Sequence, residues 1–378
     1  MQELFKAAIE RGASDIHIKT GDVIRARIYG ELVPLTQQKL TADQVKGIAM
    51  KLIPHERDRQ FFDTLLDYDC SWGMAGVGRF RVNIMRQRGS PMVVMRVIPF
   101  EIPSIDDLGL PPMIKQISNH ERGLILVTGV TGSGKSSTQA AMINWINQNK
   151  RLHVVTLENP IEFLHRDNLC SISQRDIGTD TDSFGTGLRA VLRQDPDVIL
   201  IGEMRDKVTI DTALKAAETG HLVISTLHTK NAVQTISRVI AVFDPNEQEM
   251  IRIRLSESLQ AVISQRLLQR KGGGRVAAME IMPVTATIRD CIRDPQRLDE
   301  IFDLVEDGKE HYGSQSFDQH LMDLVREDVV DFKLAKAAAN NPTDFDLKMN
   351  MFGSTSGKAS SAAGDSGDDV DHFYGGEV

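Results

Sequence analysis

Gly129-Val130-Thr131-Gly132-Ser133-Gly134-Lys135-Ser136 satisfies every fixed position of the phosphate-loop pattern GxxxxGK[ST]. The motif needs a strand before it and a helix after it. Leu124-Ile125-Leu126-Val127-Thr128 reads as a buried strand, and Ser137 to Asn149, with apolar Ala141, Met142, Trp145 and Ile146, reads as a helix. Glycines let backbone N–H groups close around phosphates, and a helix N-terminus adds partial positive charge. The loop residues Thr131, Gly132, Ser133, Gly134, Lys135, Ser136 and Ser137 are therefore expected to hold a nucleotide. Lys135 is placed to reach the β- and γ-phosphates, and the Ser136 hydroxyl to hold Mg²⁺.

The chain has 378 residues, enough for two or three domains, with 41% hydrophobic and 25% charged residues, ordinary for a globular protein. No apolar run reaches the ~20 residues that span a bilayer, and Met1-Gln2-Glu3-Leu4-Phe5-Lys6 lacks a signal-peptide build. Cys70, Cys170 and Cys291 are far apart and form no metal-type pair, which fits a reducing cytoplasm. The net charge of −8 argues against nucleic acid as a partner, because phosphate backbones demand clustered positive charge.

Residues 1–12 read as an amphipathic helix. Ser14–Ile18 and Val23–Ile28 alternate apolar and polar side chains, as half-buried strands do. Thr41 is a candidate N-cap for a helix through about Ile53, stopped by Pro54. Strand-like stretches follow at 67–72, 79–86 and 91–99, so residues 1–99 read as a small α+β domain. His17, within an alternating strand, reads as a structural hydrogen-bonding residue. Arg79, Arg81, Arg86, Arg88 and Arg96 form a basic cluster; Arg79 and Arg81, two apart, share a strand face. The cluster reads either as a solvated face or as phosphate contacts, made in cis or across a subunit boundary. Pro-rich residues 100–112 look like a linker.

From residue 113 to about 285, strands at 123–129, 153–157, 197–202 and 221–226 alternate with helical patterns at 136–149, 183–193, 206–218 and 231–241. That alternation predicts a mostly parallel sheet covered on both faces. Glu247–Gln265 reads as a further helix, Arg266–Ile281 as a hairpin, and 285–332 as three short helices, so that 286–340 is a helical segment. Residues 341–378 are read as a disordered acidic tail; its 353–378 portion has five carboxylates against Lys358 alone. Phe373 and Tyr374 offer a docking peptide within an otherwise inert tail.

Hydrolysis requires more than a phosphate grip: an acid at the metal and a group that orients water. Val198-Ile199-Leu200-Ile201 ends in Gly202-Glu203, which matches a Walker B element, and ligand sites lie at that edge of such sheets. Glu203 is the candidate for Mg²⁺ or its bound water. Val154–Leu157 ends in Glu158-Asn159-Pro160-Ile161-Glu162, whose carboxylates emerge near the same edge as candidate bases. His228 ends another strand where it can sense a γ-phosphate; His221 stands at the opposite end of that strand.

Taken together, these elements resemble the type II secretion and type IV pilus ATPases, and more narrowly the twitching-motility, retraction members. The resemblance covers about residues 1–330. It runs through Ala13–Ile18, Gly78–Val82, the phosphate loop, the acidic box Leu157–Glu162, Leu192–Asp197, Gly202–Asp206, the His box Glu218–Thr229 and Ser264–Leu267. It implies an α/β fold: a RecA-like P-loop NTPase core, a small N-terminal α+β (PAS-like) domain and C-terminal helices. It also implies a Mg²⁺-dependent, ATP-hydrolysing homohexamer with nucleotide at subunit interfaces, each N-terminal domain packing on the neighbouring catalytic domain and supplying arginines, working at the cytoplasmic face of the inner membrane through a pilus platform protein. Carried onto this chain, Glu162 is the catalytic acid, Glu203 the Walker B acid, His228 the phosphate sensor, and Arg79, Arg81 and Arg96 are the arginine contacts. The chain departs from the family pattern at Val130, where Pro is usual, and at Asn159, where Asp is usual. Thr287–Asp294 keeps the Ile-Arg-x-x-Ile-Arg skeleton of the retraction members. The extension members' long extra N-terminal domain and four-cysteine zinc site are not expected, so retraction is favoured over extension.

Overall fold

The computed structural model describes residues 2–74, 76–98 and 101–358. Its first sheet is antiparallel throughout. The strands are β1 (Ala13–Lys19), β2 (Arg25–Ile28), β3 (Glu31–Pro34), β4 (Asp67–Met74), β5 (Gly78–Gln87) and β6 (Ser90–Ile98), in the order β3-β2-β1-β6-β5-β4. Their alternation puts Ile16, Ile18, Phe80, Val82 and Met95 on one buried face. Helices Gln2–Glu10 and Ala42–Leu52 supply Phe5, Val45 and Leu52 to the same core. Thr41 caps the second helix in a full capping box with Gln44, satisfying two otherwise orphan N–H groups.

The second sheet holds β7 (Gly123–Thr128), β8 (His153–Glu158), β9 (Ser171–Asp176), β10 (Val198–Ile201), β11 (Leu222–Leu227), β12 (Leu259–Gln269) and β13 (Arg275–Pro283). The order is β13-β12-β7-β11-β10-β8-β9, parallel at every pairing except β12–β13. Every residue of β7, β10 and β11 is buried, as expected of central strands covered on both faces. One face packs helices Phe184–Val191, Lys207–Glu218, Ala232–Ala241 and Gln248–Ser258 through Leu188, Leu214, Ile236 and Leu255. The other packs helices Met113–Ser118 and Lys135–Asn149, and buries Ile105 and Leu110 of the Pro-rich connection, which is thereby fastened to the core rather than free.

The structure corrects several sequence readings. The helix expected over Glu247–Gln265 stops at Ser258, and the chain continues as β12. Leu255, Leu259 and Val262 lie at helical spacing, yet the last two are buried in a strand that is apolar on both faces, where periodicity cannot separate the two states. The sequence reading has no counterpart of β3 or β9, which are short edge strands, β3 only four residues long and mostly exposed and β9 rich in polar residues. The stretch 285–332 carries more than three short helices: Ala286–Arg293, a 3₁₀ turn at Leu298–Glu300, Ile301–Asp307, Lys309–Tyr312 and Phe317–Arg326. The tail reading fails at its start, since Pro342–Lys358 is helical. Phe345 is fully buried there against Phe317, Leu321, Leu268 and Val276, so a single aromatic anchors the segment. The remainder of the expected tail, 359–378 with Phe373 and Tyr374, lies outside the described residues.

Candidate functional site

The loop between β7 and helix Lys135–Asn149 is shaped by glycines that no other residue replaces without strain. Gly129 (φ +146°), Gly132 (φ +78°) and Gly134 (φ +90°) all lie in the left-handed region. A Cβ on Gly129 would lie 2.5 Å from the Gln265 carbonyl oxygen and 2.5 Å from Ser133 Oγ, whereas one on Gly132 would meet open space. Gln265, on β12, donates from Nε2 to the Ser133 carbonyl at 2.6 Å and so braces the loop from the neighbouring strand. Below it, Thr128 donates to Ser264 Oγ at 3.0 Å. Lys135 Nζ donates to the Gly129 and Val130 carbonyls at 2.9 and 3.0 Å. Burial lowers the Lys135 pKa, while the charges of Glu162 and Glu203 pull it back up. The loop thus holds a partly desolvated ammonium group facing two carboxylates.

Those carboxylates come from strand ends. An open cavity of about 310 Å³ is bordered by Lys135 and Ser136 of the loop and its helix, and by Glu158, Glu162, Glu203 and His228 from the strand ends. Glu203, following β10, lies with Oε2 2.7 Å from Arg205 Nε and 3.6 Å from His228 Nε2. Glu158, at the end of β8, accepts hydrogen bonds from Thr156 Oγ1 at 2.6 Å and Gln174 Nε2 at 3.1 Å; burial drives its pKa up. Burial likewise pushes His165 down to about 4, so the ring is neutral. Two polar atoms of cavity-lining residues, Gln139 Nε2 and His165 Nδ1, are buried without a hydrogen-bond partner among the described residues. Hydroxyl and carboxylate oxygens at Ser136 and Glu203 are the hard donors that Mg²⁺ selects, and a loop of N–H groups beside an ammonium suits a polyphosphate. A second opening of about 690 Å³ continues past Thr131, Gly134 and Ser137 to Leu108, Leu267 and Arg275, leaving room for the rest of a nucleotide.

The arginines separate by position. Arg81 borders both openings, and Arg96 borders the second. They face each other directly across β5 and β6. Like charges so placed repel, and a counter-charge must offset them. Asp15, opposite Arg96 on β1, supplies one at 3.1 Å; an anion beside Arg81 would supply another. Arg79 is used differently. It donates to Asp176 on β9 at 2.8 Å and is not among the residues lining either opening. Arg86 is structural too: it donates to the Phe62 and Leu65 carbonyls and stacks 5.0 Å from the Phe62 ring. His221 places Nδ1 2.9 Å from the Ala216 carbonyl, away from the cavity. Sequence reasoning gave no role to Arg205, Gln174 or Gln265. Arg205, two residues after Glu203, and Gln265, within Ser264–Leu267, lie in stretches that carried the resemblance; Gln174 lies in none, and both glutamines reach the site through strand pairing.

The family model described as type II/IV secretion system protein matches residues 1–316. The chain belongs to this family. Among relatives of this secretion-family chain, the type IV pilus retraction ATPase PilT of Pseudomonas aeruginosa is 42% identical over 343 residues, covering 91% of this chain and 99% of the relative. The type IV pilus ATPase PilU of the same organism is 35% identical over 353 residues, covering 93% and 91%. A crystal structure of the pilus retraction motor PilT with bound ADP superposes with a TM-score of 0.83 at 43% identity, covering 91% of this chain and 98% of that one. The α/β core, N-terminal domain and C-terminal helices described above are thus those of a secretion ATPase.

Proposed function

We propose that this chain is an ATP-hydrolysing motor that drives type IV pilus retraction. The observation that carries the reading is the convergence of the phosphate loop with Glu162 and Glu203 on one cavity. The loop N–H groups and Lys135 bind the phosphates of ATP. Mg²⁺ held by Ser136 and Glu203 would supply charge neutralisation at the β- and γ-phosphates. Glu162, exposed at the cavity wall, takes the proton of the attacking water, and His228 reads the presence of the terminal phosphate through its contact with Glu203. Arg81 and Arg96 balance charge on the phosphates, whereas Arg79 fastens the N-terminal domain to the core. The retraction assignment rests on the similarity to PilT across nearly its whole length.

As a motor the chain acts as a homohexamer at the cytoplasmic face of the inner membrane. It meets the membrane through a pilus platform protein and takes no nucleic acid. No helix among the described residues is long and apolar enough to cross a membrane. Phosphate release by the purified protein tests the enzyme, with Lys135→Ala and Glu203→Ala expected to lose at least about a hundredfold in kcat/KM. Wild-type turnover in either variant would refute the reading, and tight ATP binding without turnover in the wild type would indicate a scaffold. In cells, Glu203→Ala should leave surplus pili that do not retract; absent pili would indicate extension.

A further inference from the structure

The acidic loop that carries Glu162 is held by a side chain the hydrolysis reading does not use. Gln174 lies on β9, the outermost strand, paired in parallel with β8 at Thr156. Its amide spans the loop. Nε2 donates to Glu158 Oε1 at 3.1 Å and to the Phe163 carbonyl at 2.8 Å, and Oε1 accepts from the His165 N–H at 2.8 Å. Glu158 in turn accepts from the Glu162 N–H at 3.4 Å and from the Thr156 hydroxyl at 2.6 Å. One amide therefore fixes the loop before Glu162 through Glu158 and after it through residues 163 and 165. Only an amide does this, because the three bonds need two donor directions and one acceptor from the same group. The charged ends nearby do not replace it: Lys135 is engaged with the phosphate loop, and Arg175 donates to the Asp180 carbonyl.

We propose that Gln174 is a positioning residue for hydrolysis, clamping the Glu158–His165 loop so that the Glu162 carboxylate is held at the water it activates. This rests on the assignment of Glu162 as the base. A carboxylate on an exposed loop loses its alignment when the loop is freed, and a misplacement of about 1 Å costs about a hundredfold in rate. Nucleotide binding, which uses the phosphate loop after β7 rather than this loop after β8, is unaffected.

The test uses the full chain and two variants. Gln174→Met keeps volume and loses all three bonds. Gln174→Glu keeps the acceptor for His165 but cannot donate to Glu158 or Phe163. Both should lower kcat about ten- to a hundredfold while leaving KM for ATP and the affinity for a fluorescent ATP analogue within about threefold. Hydrogen–deuterium exchange without nucleotide should show the Glu162 and His165 amides exchanging at least about tenfold faster in Gln174→Met, and only Glu162 faster in Gln174→Glu. Wild-type kcat in both variants, or wild-type protection of these amides, overturns the clamp. A fall in affinity equal to the fall in kcat/KM overturns the positioning role. Absence of turnover in the wild type refutes the hydrolysis reading, while the exchange measurement still decides whether Gln174 holds the loop. Should Gln174→Met not fold, Gln174→Glu carries the same comparison.

Discussion

Gly129 and Glu280 show how single residues answer to their surroundings rather than to their type. At Gly129 the added methyl of alanine meets Gln265's backbone carbonyl and Ser133 Oγ at 2.5 Å, with φ at +146°. A neighbour that is backbone cannot yield, so the phosphate loop itself must shift. Gly129→Ala should weaken ATP binding by at least about tenfold, whereas Gly132→Ala, strained in φ but meeting open space, should cost less; titration with a fluorescent ATP analogue measures both. Glu280 on β13 is 3% exposed and accepts the Ala232 N–H at 2.7 Å. Burial pushes its pKa from 4.5 up to about 7, against the pull of that hydrogen bond and of Arg266. The folded state therefore binds the proton more tightly than the unfolded chain. This contribution is complete below pH ~4.5, declines as pH rises towards about 7, and is gone above it. Glu280→Gln cannot ionise, so the stability of wild type relative to this variant should fall by about 3 kcal/mol between pH 4 and 8, read from urea midpoints. A pH-independent difference would show that Glu280 keeps its proton, or loses it, equally in both states.

At the scale of elements, the decisive contact joins β5 of the N-terminal sheet to β9 of the core. Asp176 has only 4% of its side chain exposed, and Arg79 meets it at 2.8 Å; His55 Nε2 adds a contact to the Gly178 carbonyl at 3.1 Å. Removing Arg79 strands a buried carboxylate. Arg79→Met should destabilise by about 2 kcal/mol, below the ~3–5 for fully buried pairs because Arg79 keeps some water, and adding Asp176→Asn should restore part of the loss. Arg81→Ala should instead lower kcat with little change in denaturation midpoint, so the pair of measurements separates fastening from catalysis. This contrast was not legible in the sequence. Arg79 and Arg81 share a face and a spacing, and what divides them is β9, a strand whose Ser-Ile-Ser-Gln-Arg-Asp run has one apolar residue, Ile172, and so no alternation to read. The central strands were legible because burial on both faces leaves continuous apolar runs, as in Val198–Ile201. The phosphate loop, Glu162, Glu203 and His228 were legible for a related reason: each follows such a run at one sheet edge. Gln265 and Gln174 were not, since their roles arise from pairing between strands distant in the chain.

For the whole molecule, the proposed hexameric motor can draw the arginine at each phosphate loop from the same subunit or from a neighbour. The family resemblance implied arginines delivered from a neighbour's N-terminal domain. Within one chain, however, Arg81 already borders the cavity of its own Lys135 and Glu162, and Arg79 ties that domain to its own core. The geometry therefore favours supply in cis. Mixing two inactive variants decides it. In a 1:1 ring of Lys135→Ala and Arg81→Ala subunits, supply in trans would pair an intact loop with an intact neighbouring arginine at up to roughly a quarter of the interfaces, and turnover would reappear. Supply in cis leaves every subunit lacking either its loop lysine or its arginine, so the mixture stays as inactive as its parents. We expect no recovery after co-refolding or co-expression, measured as phosphate release per ring with mixed assembly checked by differential tags. Recovery towards a quarter of wild-type turnover would place Arg81 at a subunit boundary, and would mean that the domain arrangement fastened by Arg79 and Asp176 opens when the ring forms.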